Sequence, residues 1–251
     1  MGAESSELSK SQHTRLKIPF SLFTENSMEL LPCIEIETAD KPTAAIIWLH
    51  GLGADGNDFA SLVPQLDLNG LPGIRFVFPS APSMPVTVNG GYVMPAWYDI
   101  IGRSANDPED AAGIQKSALA INALIEREAK RGIAYQRIVL AGFSQGCAMV
   151  LHTGLRFSER LGGIMALSGY LPLASTLLAE RNPANQDTPI FLAHGDWDAV
   201  IIPERSERSR DVLQANGYDV QWKNYPMEHS LHPIEVIDIG HFLRRVLTTN
   251  D

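Results

Sequence analysis

Cysteine is nearly missing from this 251-residue chain: Cys33 and Cys147 are its only two, and they show no C-x-x-C spacing. That leaves no disulfide framework and no metal set to build with them, and it fits a reducing cytoplasm. Positive charge is also scarce, with 20 Lys and Arg against 29 Asp and Glu and a formal charge of −9. Nucleic acid and anionic membrane surfaces attract basic patches, so neither is an expected partner. No positively charged, apolar leader opens the sequence, and the expected location is the cytoplasm. No apolar run reads as a membrane helix either. Residues 76–98 hold Pro79, Pro82, Pro85 and Pro95, while residues 138–155 and 162–179 are interrupted by glycines. Strands covered on both faces read as such runs.

What the chain does have is an alternation of apolar strands and helical stretches, which implies a mostly parallel sheet with helices on both faces. With 45% hydrophobic residues it can bury a substantial core. The clearest helix is expected to start at Asp107 as cap with Pro108 in its first turn, and to stop before Gly132. Ile114, Ala118, Ile121 and Ile125 form its apolar stripe. A last helix after Pro233 is expected to pack on the sheet through Ile237, Phe242, Leu243 and Val246. Residues 1–30 are polar and serine-rich at their start and are read as a disordered extension; residues 31–251 are read as a single domain.

The strand-like run Arg137 to Ala141 leads into Gly142-Phe143-Ser144-Gln145-Gly146, and a helical stretch follows. G-x-S-x-G in that setting turns a strand sharply into a helix with the serine exposed at the apex. Side chains at the two glycines would collide with the neighbouring strand and helix. Ser144 is therefore the candidate nucleophile. A serine hydroxyl needs a base and an orienting carboxylate, in this fold in the chain order Ser, Asp or Glu, His. Two later strand ends supply them: Pro189 to His194 opens into Asp196 and Asp198, and Val220 to Pro226 opens into Glu228, His229 and His232. Asp198 and His229 are preferred. Asp196 would point to the opposite side of an extended segment, and His232, next to Pro233, reads as a helix cap. His50 and His194 read as structural histidines, and Cys147 falls inside the helix after the elbow.

His50-Gly51-Leu52-Gly53, Met94 to Ile100, Gly142 to Gly146, His194-Gly195-x-x-Asp198 and Met227-x-His229-Ser230 together resemble the acyl-protein thioesterase and carboxylesterase group of α/β-hydrolases, also called phospholipase/carboxylesterase. The resemblance implies an α/β-hydrolase fold, Ser144 as nucleophile, Asp198 as acid and His229 as base. It also implies an oxyanion hole from the backbone N–H groups of Leu52 and Gln145. Three features depart from the family pattern: Glu228 stands where relatives carry glycine before the histidine, Asp198 to Pro203 is one residue longer than usual, and Cys147 stands where glycine is common. Glu228 is expected to favour the imidazolium form of the base.

The expected activity is that of a serine carboxylic ester hydrolase acting on short- to medium-chain acyl esters or thioesters through an acyl-enzyme, with no cofactor and no metal. An acyl-protein thioesterase or lysophospholipase is the alternative within the class, its substrate a lipidated protein or lysophospholipid. A catalytically silent hydrolase fold used as a binding module is the alternative outside it. No nucleic acid or integral membrane partner is expected, and a homodimer is compatible with the reading. Val86, Met94 and Trp97 are expected to wall an acyl-binding groove.

Overall fold

The computed structural model describes residues 30–102, 104 and 107–248; most of the 1–30 extension lies outside these. In chain order the elements are β1 (Cys33–Glu37), β2 (Ala44–Leu49), β3 (Ile74–Pro79), β4 (Ser83–Val86), β5 (Tyr92–Pro95), α1 (Ala111–Lys130) and β6 (Ile138–Phe143). There follow α2 (Gln145–Gly154), β7 (Gly163–Leu167), α3 (Leu177–Glu180), β8 (Ile190–Gly195), α4 (Pro203–Ala215), β9 (Val220–Tyr225) and α5 (Pro233–Thr248). Seven strands form one sheet in the order β1-β3-β2-β6-β7-β8-β9. Only the edge strand β1 runs antiparallel to its neighbour; β2 to β9 within the sheet are parallel.

Successive side chains of a strand point to opposite faces, and both faces of this sheet are covered. In β2, Ala45, Ile47 and Leu49 enter one buried cluster, which α1 and α2 close with Ile114, Ile121, Leu124, Met149 and Val150. Ala44, Ile46 and Trp48 enter the other, closed by Phe59, Leu62 and Val63 and by Ile239, Phe242 and Leu243 of α5. Trp48 stacks on Phe59 with ring centroids 5.2 Å apart. Every residue of β2, β3, β6 (save Phe143), β7 and β8 is buried, so the period-2 signal vanishes and the strands read as apolar runs interrupted only by Arg75 in β3 and His194 in β8. The architecture is the expected mostly parallel, helix-flanked sheet. Among the described residues no helix is long and apolar enough to cross a membrane.

Two expectations about elements need correction. The cap of α1 is Asp110, whose carboxylate accepts from the N–H of Gly113 at 2.9 Å and, through its other oxygen, from Asp99 at 3.0 Å. Asp107 is spent instead on its own turn, accepting from Ser104 at 2.8 Å. In α5, Ile237 points to solvent, 56% exposed, and Ile239 takes its place in the core. The proline-rich stretch 80–99 holds a two-stranded ribbon, β4 against β5, which turns at Gly90 and Gly91 with φ of 67° and 77°. Both positive angles suit glycine, and Gly90-Gly91 marks the turn.

Sequence periodicity also gave no warning of the charge buried on α1. Glu128 is fully enclosed, and Arg75, Arg127 and Arg131 reach its carboxylate at 2.7, 2.8 and 3.0 Å. Glu35 and Glu37 of β1 complete the network. It ties α1 to the antiparallel edge of the sheet.

Candidate active site

β6 lies inside the sheet between β2 and β7, and Ser144 follows its last residue. The backbone of Ser144 has φ 56° and ψ −115°, a strained conformation for a residue with a Cβ. It is the sharp strand-to-helix turn that the G-x-S-x-G pattern demands. The reason for the glycines is geometric: a Cβ on Gly142 would lie 2.3 Å from the Gly146 carbonyl oxygen, and one on Gly146 2.3 Å from that of Leu49.

Asp198 and His229 arrive from the ends of β8 and β9. Close contact between those two loops depends on Gly195, where a Cβ would meet the carbonyl oxygens of Met227 and Glu228 at 2.4 and 2.6 Å. Trp197 N–H donates to the Met227 carbonyl at 3.0 Å and pins one loop to the other. The outcome is a continuous chain of contacts. His229 Nδ1 lies 2.6 Å from Asp198 Oδ2, and His229 Nε2 lies 2.8 Å from Ser144 Oγ. An ionised carboxylate only accepts, so Nδ1 carries the proton and Nε2 accepts from the serine hydroxyl. Burial would raise the Asp198 carboxyl, but hydrogen bonds from His229 and from the N–H groups of Ile201 and Val200 outweigh it and hold the group below its ordinary range. Those two N–H groups donate to Oδ1 at 2.9 and 2.8 Å.

The rival residues are placed elsewhere. Asp196 is exposed and accepts from the Asn224 side chain. His232 Nδ1 accepts from Ile234 N–H at 3.2 Å and caps α5, while Glu235 reaches back to the His232 N–H. His50 accepts from Ala81 N–H through Nε2 and donates through Nδ1 to the Gly51 carbonyl; burial pushes its pKa down. His194 is 1% exposed at the end of β8, and burial pushes it down as well. Cys147 is buried in α2, and burial drives its thiol far above the ordinary range. Glu228 is exposed, and its side chain makes no hydrogen bond or ion pair among the described residues.

Gln145 opens α2, where an N–H has no intrahelical acceptor. In the loop after β2, Gly53 and Ala54 donate to the carbonyls of Pro95 and Gly51, whereas Leu52 N–H has no backbone acceptor among the described residues. Among the described residues neither N–H of the expected oxyanion hole donates to a backbone carbonyl. A brace that the sequence did not announce holds the two loops together. The Gln145 side chain accepts from Trp97 N–H at 2.9 Å and donates to the Tyr98 carbonyl at 2.7 Å, while the Trp97 indole N–H donates to the His50 carbonyl at 2.9 Å. Ser117 of α1 donates to the Trp97 carbonyl from below.

Trp97 is 2% exposed and Val86 is fully buried; both pack into the core, and the Trp97 indole serves as a structural donor. Met94 is half-buried, and its Sδ lies 3.5 Å from where a Cβ on Gly53 would stand, beside Leu52.

Residues 32–247 match the Phospholipase/Carboxylesterase family. The chain is 40% identical over 217 residues to acyl-protein thioesterase 1 of Yarrowia lipolytica, covering 84% of this chain and 96% of that one. It is 41% identical over 227 residues to acyl-protein thioesterase 1 of Neurospora crassa, covering 86% and 92%. Among solved structures it resembles Zea mays acyl-protein thioesterase 2, with a TM-score of 0.78, 31% identity, and coverage of 86% and 99%. Fold and site define an α/β-hydrolase. This chain belongs to the phospholipase/carboxylesterase family of that fold.

Proposed function

We propose that this protein is a serine hydrolase that cleaves acyl thioesters and oxyesters through an acyl-enzyme on Ser144, with Asp198 as acid and His229 as base. One observation carries the reading: the unbroken chain of hydrogen-bonding contacts Ser144–His229–Asp198, with Oγ at the strained elbow. Ser144 Oγ attacks the acyl carbonyl carbon as His229 Nε2 takes its proton. The tetrahedral oxyanion is received by the N–H groups of Leu52 and Gln145, each worth about 3 kcal/mol of transition-state stabilisation. His229 returns the proton to the departing thiolate or alkoxide. Water then attacks the acyl-enzyme with His229 again as base, releasing the carboxylic acid and restoring Ser144.

The relatives named acyl-protein thioesterase favour a thioester on a lipidated protein as substrate over a small free ester. Cys33 and Cys147 are both free thiols, in keeping with a reducing, cytoplasmic setting for residues 31–251 as one hydrolase domain. The test sets an S-palmitoylated peptide against its matched serine oxyester, followed by thiol release and by mass. The protein should release palmitate from the thioester faster than from the oxyester, and Ser144→Ala should release none from either. Equal rates would favour a broad carboxylesterase, and no turnover of either by the unaltered protein would overturn the proposal.

A further inference from the structure

We propose that His194 is a positioning residue for the acid of the triad: it fixes the loop that aims the Asp198 carboxylate at His229. The proposal rests on the assignment of Ser144, Asp198 and His229 made above.

His194 is the penultimate residue of β8 and is enclosed, four residues before Asp198. Its Nε2 lies 2.8 Å from the Ile201 carbonyl oxygen and 3.3 Å from Asp198 Oδ2. A carbonyl only accepts, so Nε2 carries a proton and donates to Ile201. The same residue, Ile201, donates its own N–H to Asp198 Oδ1 at 2.9 Å, beside Val200 N–H at 2.8 Å. His194 therefore holds one side of the peptide segment that clamps Oδ1, while its ring edge stands against Oδ2. The carboxylate is thus held at both oxygens by groups other than His229.

The need for such a fixture follows from the loop. Residues 198–202 carry no regular structure ahead of α4, and Val200 and Ile202 are 69% and 56% exposed, so packing does little to hold them. Besides the Val200 and Ile201 N–H bonds to Asp198 Oδ1, the inward His194–Ile201 bond tethers this segment to β8. Burial of a ring whose Nδ1 has no partner among the described residues is a cost that a purely space-filling side chain would avoid. An orienting role accounts for a histidine at this position.

Three substitutions test it: His194→Leu, which fills space without a donor; His194→Gln, whose side-chain amide restores an N–H; and Asp198→Asn. In the otherwise unaltered protein His194→Leu should lower kcat for a p-nitrophenyl ester by about tenfold or more with little change in KM. That is less than the ~10⁴-fold expected when the base is held in the wrong tautomer. His194→Gln should recover part of the loss. In the Asp198→Asn background His194→Leu should cost nothing further, because the carboxylate it serves is already gone. Equal, additive losses in both backgrounds, or a loss confined to KM, would overturn the positioning role. If His194→Leu fails to fold, the same comparison is made with His194→Gln against His194→Asn, whose shorter amide does not reach Ile201; equal activity of the two would overturn it. Should Asp198→Asn itself leave kcat unchanged, the triad assignment fails instead, a separate and recognisable outcome.

Discussion

Trp97 and Gln145 are bonded head to side: the backbone N–H of Trp97 donates to the Gln145 side-chain oxygen at 2.9 Å, 48 residues along the chain. Because Gln145 also supplies an expected oxyanion N–H and the Trp97 indole holds the His50 carbonyl, one tryptophan links both halves of the hole. Trp97→Phe removes the indole donor while keeping an aromatic ring. It should lower kcat for p-nitrophenyl acetate and for longer esters by a similar factor, about tenfold. A loss confined to long chains would return Trp97 to the acyl groove.

Met94, half-buried beside Gly53 and Leu52, is the most exposed of the three residues of the expected groove. Each methylene buried there is worth up to ~0.8 kcal/mol. Activity on p-nitrophenyl esters should rise from acetate to medium chains, and Met94→Ala should flatten that rise while sparing acetate. An unchanged chain-length profile would place the acyl chain elsewhere.

Glu128→Ala should be among the most destabilising single substitutions in the chain. It removes the enclosed carboxylate at which Arg75, Arg127 and Arg131 converge, leaving them only the more exposed Glu35 and Glu37, and breaking a buried pair costs about 3–5 kcal/mol. Urea denaturation with a loss below ~1 kcal/mol would show the network to be solvated.

Glu235 carries a pH dependence of stability. Burial is the main cause of its raised pKa, pushed up to about 8, with Asp238 adding and the His232 N–H opposing. The unfolded chain releases this proton near pH 4.3. Between those values the folded state alone keeps it, so stability falls as pH rises, by ~1.4 kcal/mol per unit. From pH 6 to 8 the protein should lose up to ~2–3 kcal/mol more than Glu235→Gln does. Parallel curves for the two would place the carboxyl in contact with water.

Much of this was readable from residues because it is enforced locally. The elbow needs glycine at 142 and 146 for want of space, and the order Ser, Asp, His follows from strands that end on one edge. His232 as a cap and His50 as a satisfied core residue were legible from their neighbours. Less legible was anything decided across the fold. Asp110 rather than Asp107 caps α1 because only Asp110 also reaches Asp99. Glu128 looks like an exposed helix charge until β1 and β3 bring Arg75 and Glu35 beside it. Trp97 sits in an apolar segment next to the site, and sequence alone does not show that its indole donates inward.

A fluorophosphonate probe reacts with a serine only where a base and an oxyanion hole activate it, so labelling measures the proposed triad most directly. The unaltered protein should be labelled at a single site, identified by mass spectrometry as Ser144. Ser144→Ala should abolish labelling and ester hydrolysis together, and Asp198→Asn should slow both far more than Asp196→Asn. Labelling at another residue, or undiminished turnover in Ser144→Ala, would contradict the assignment.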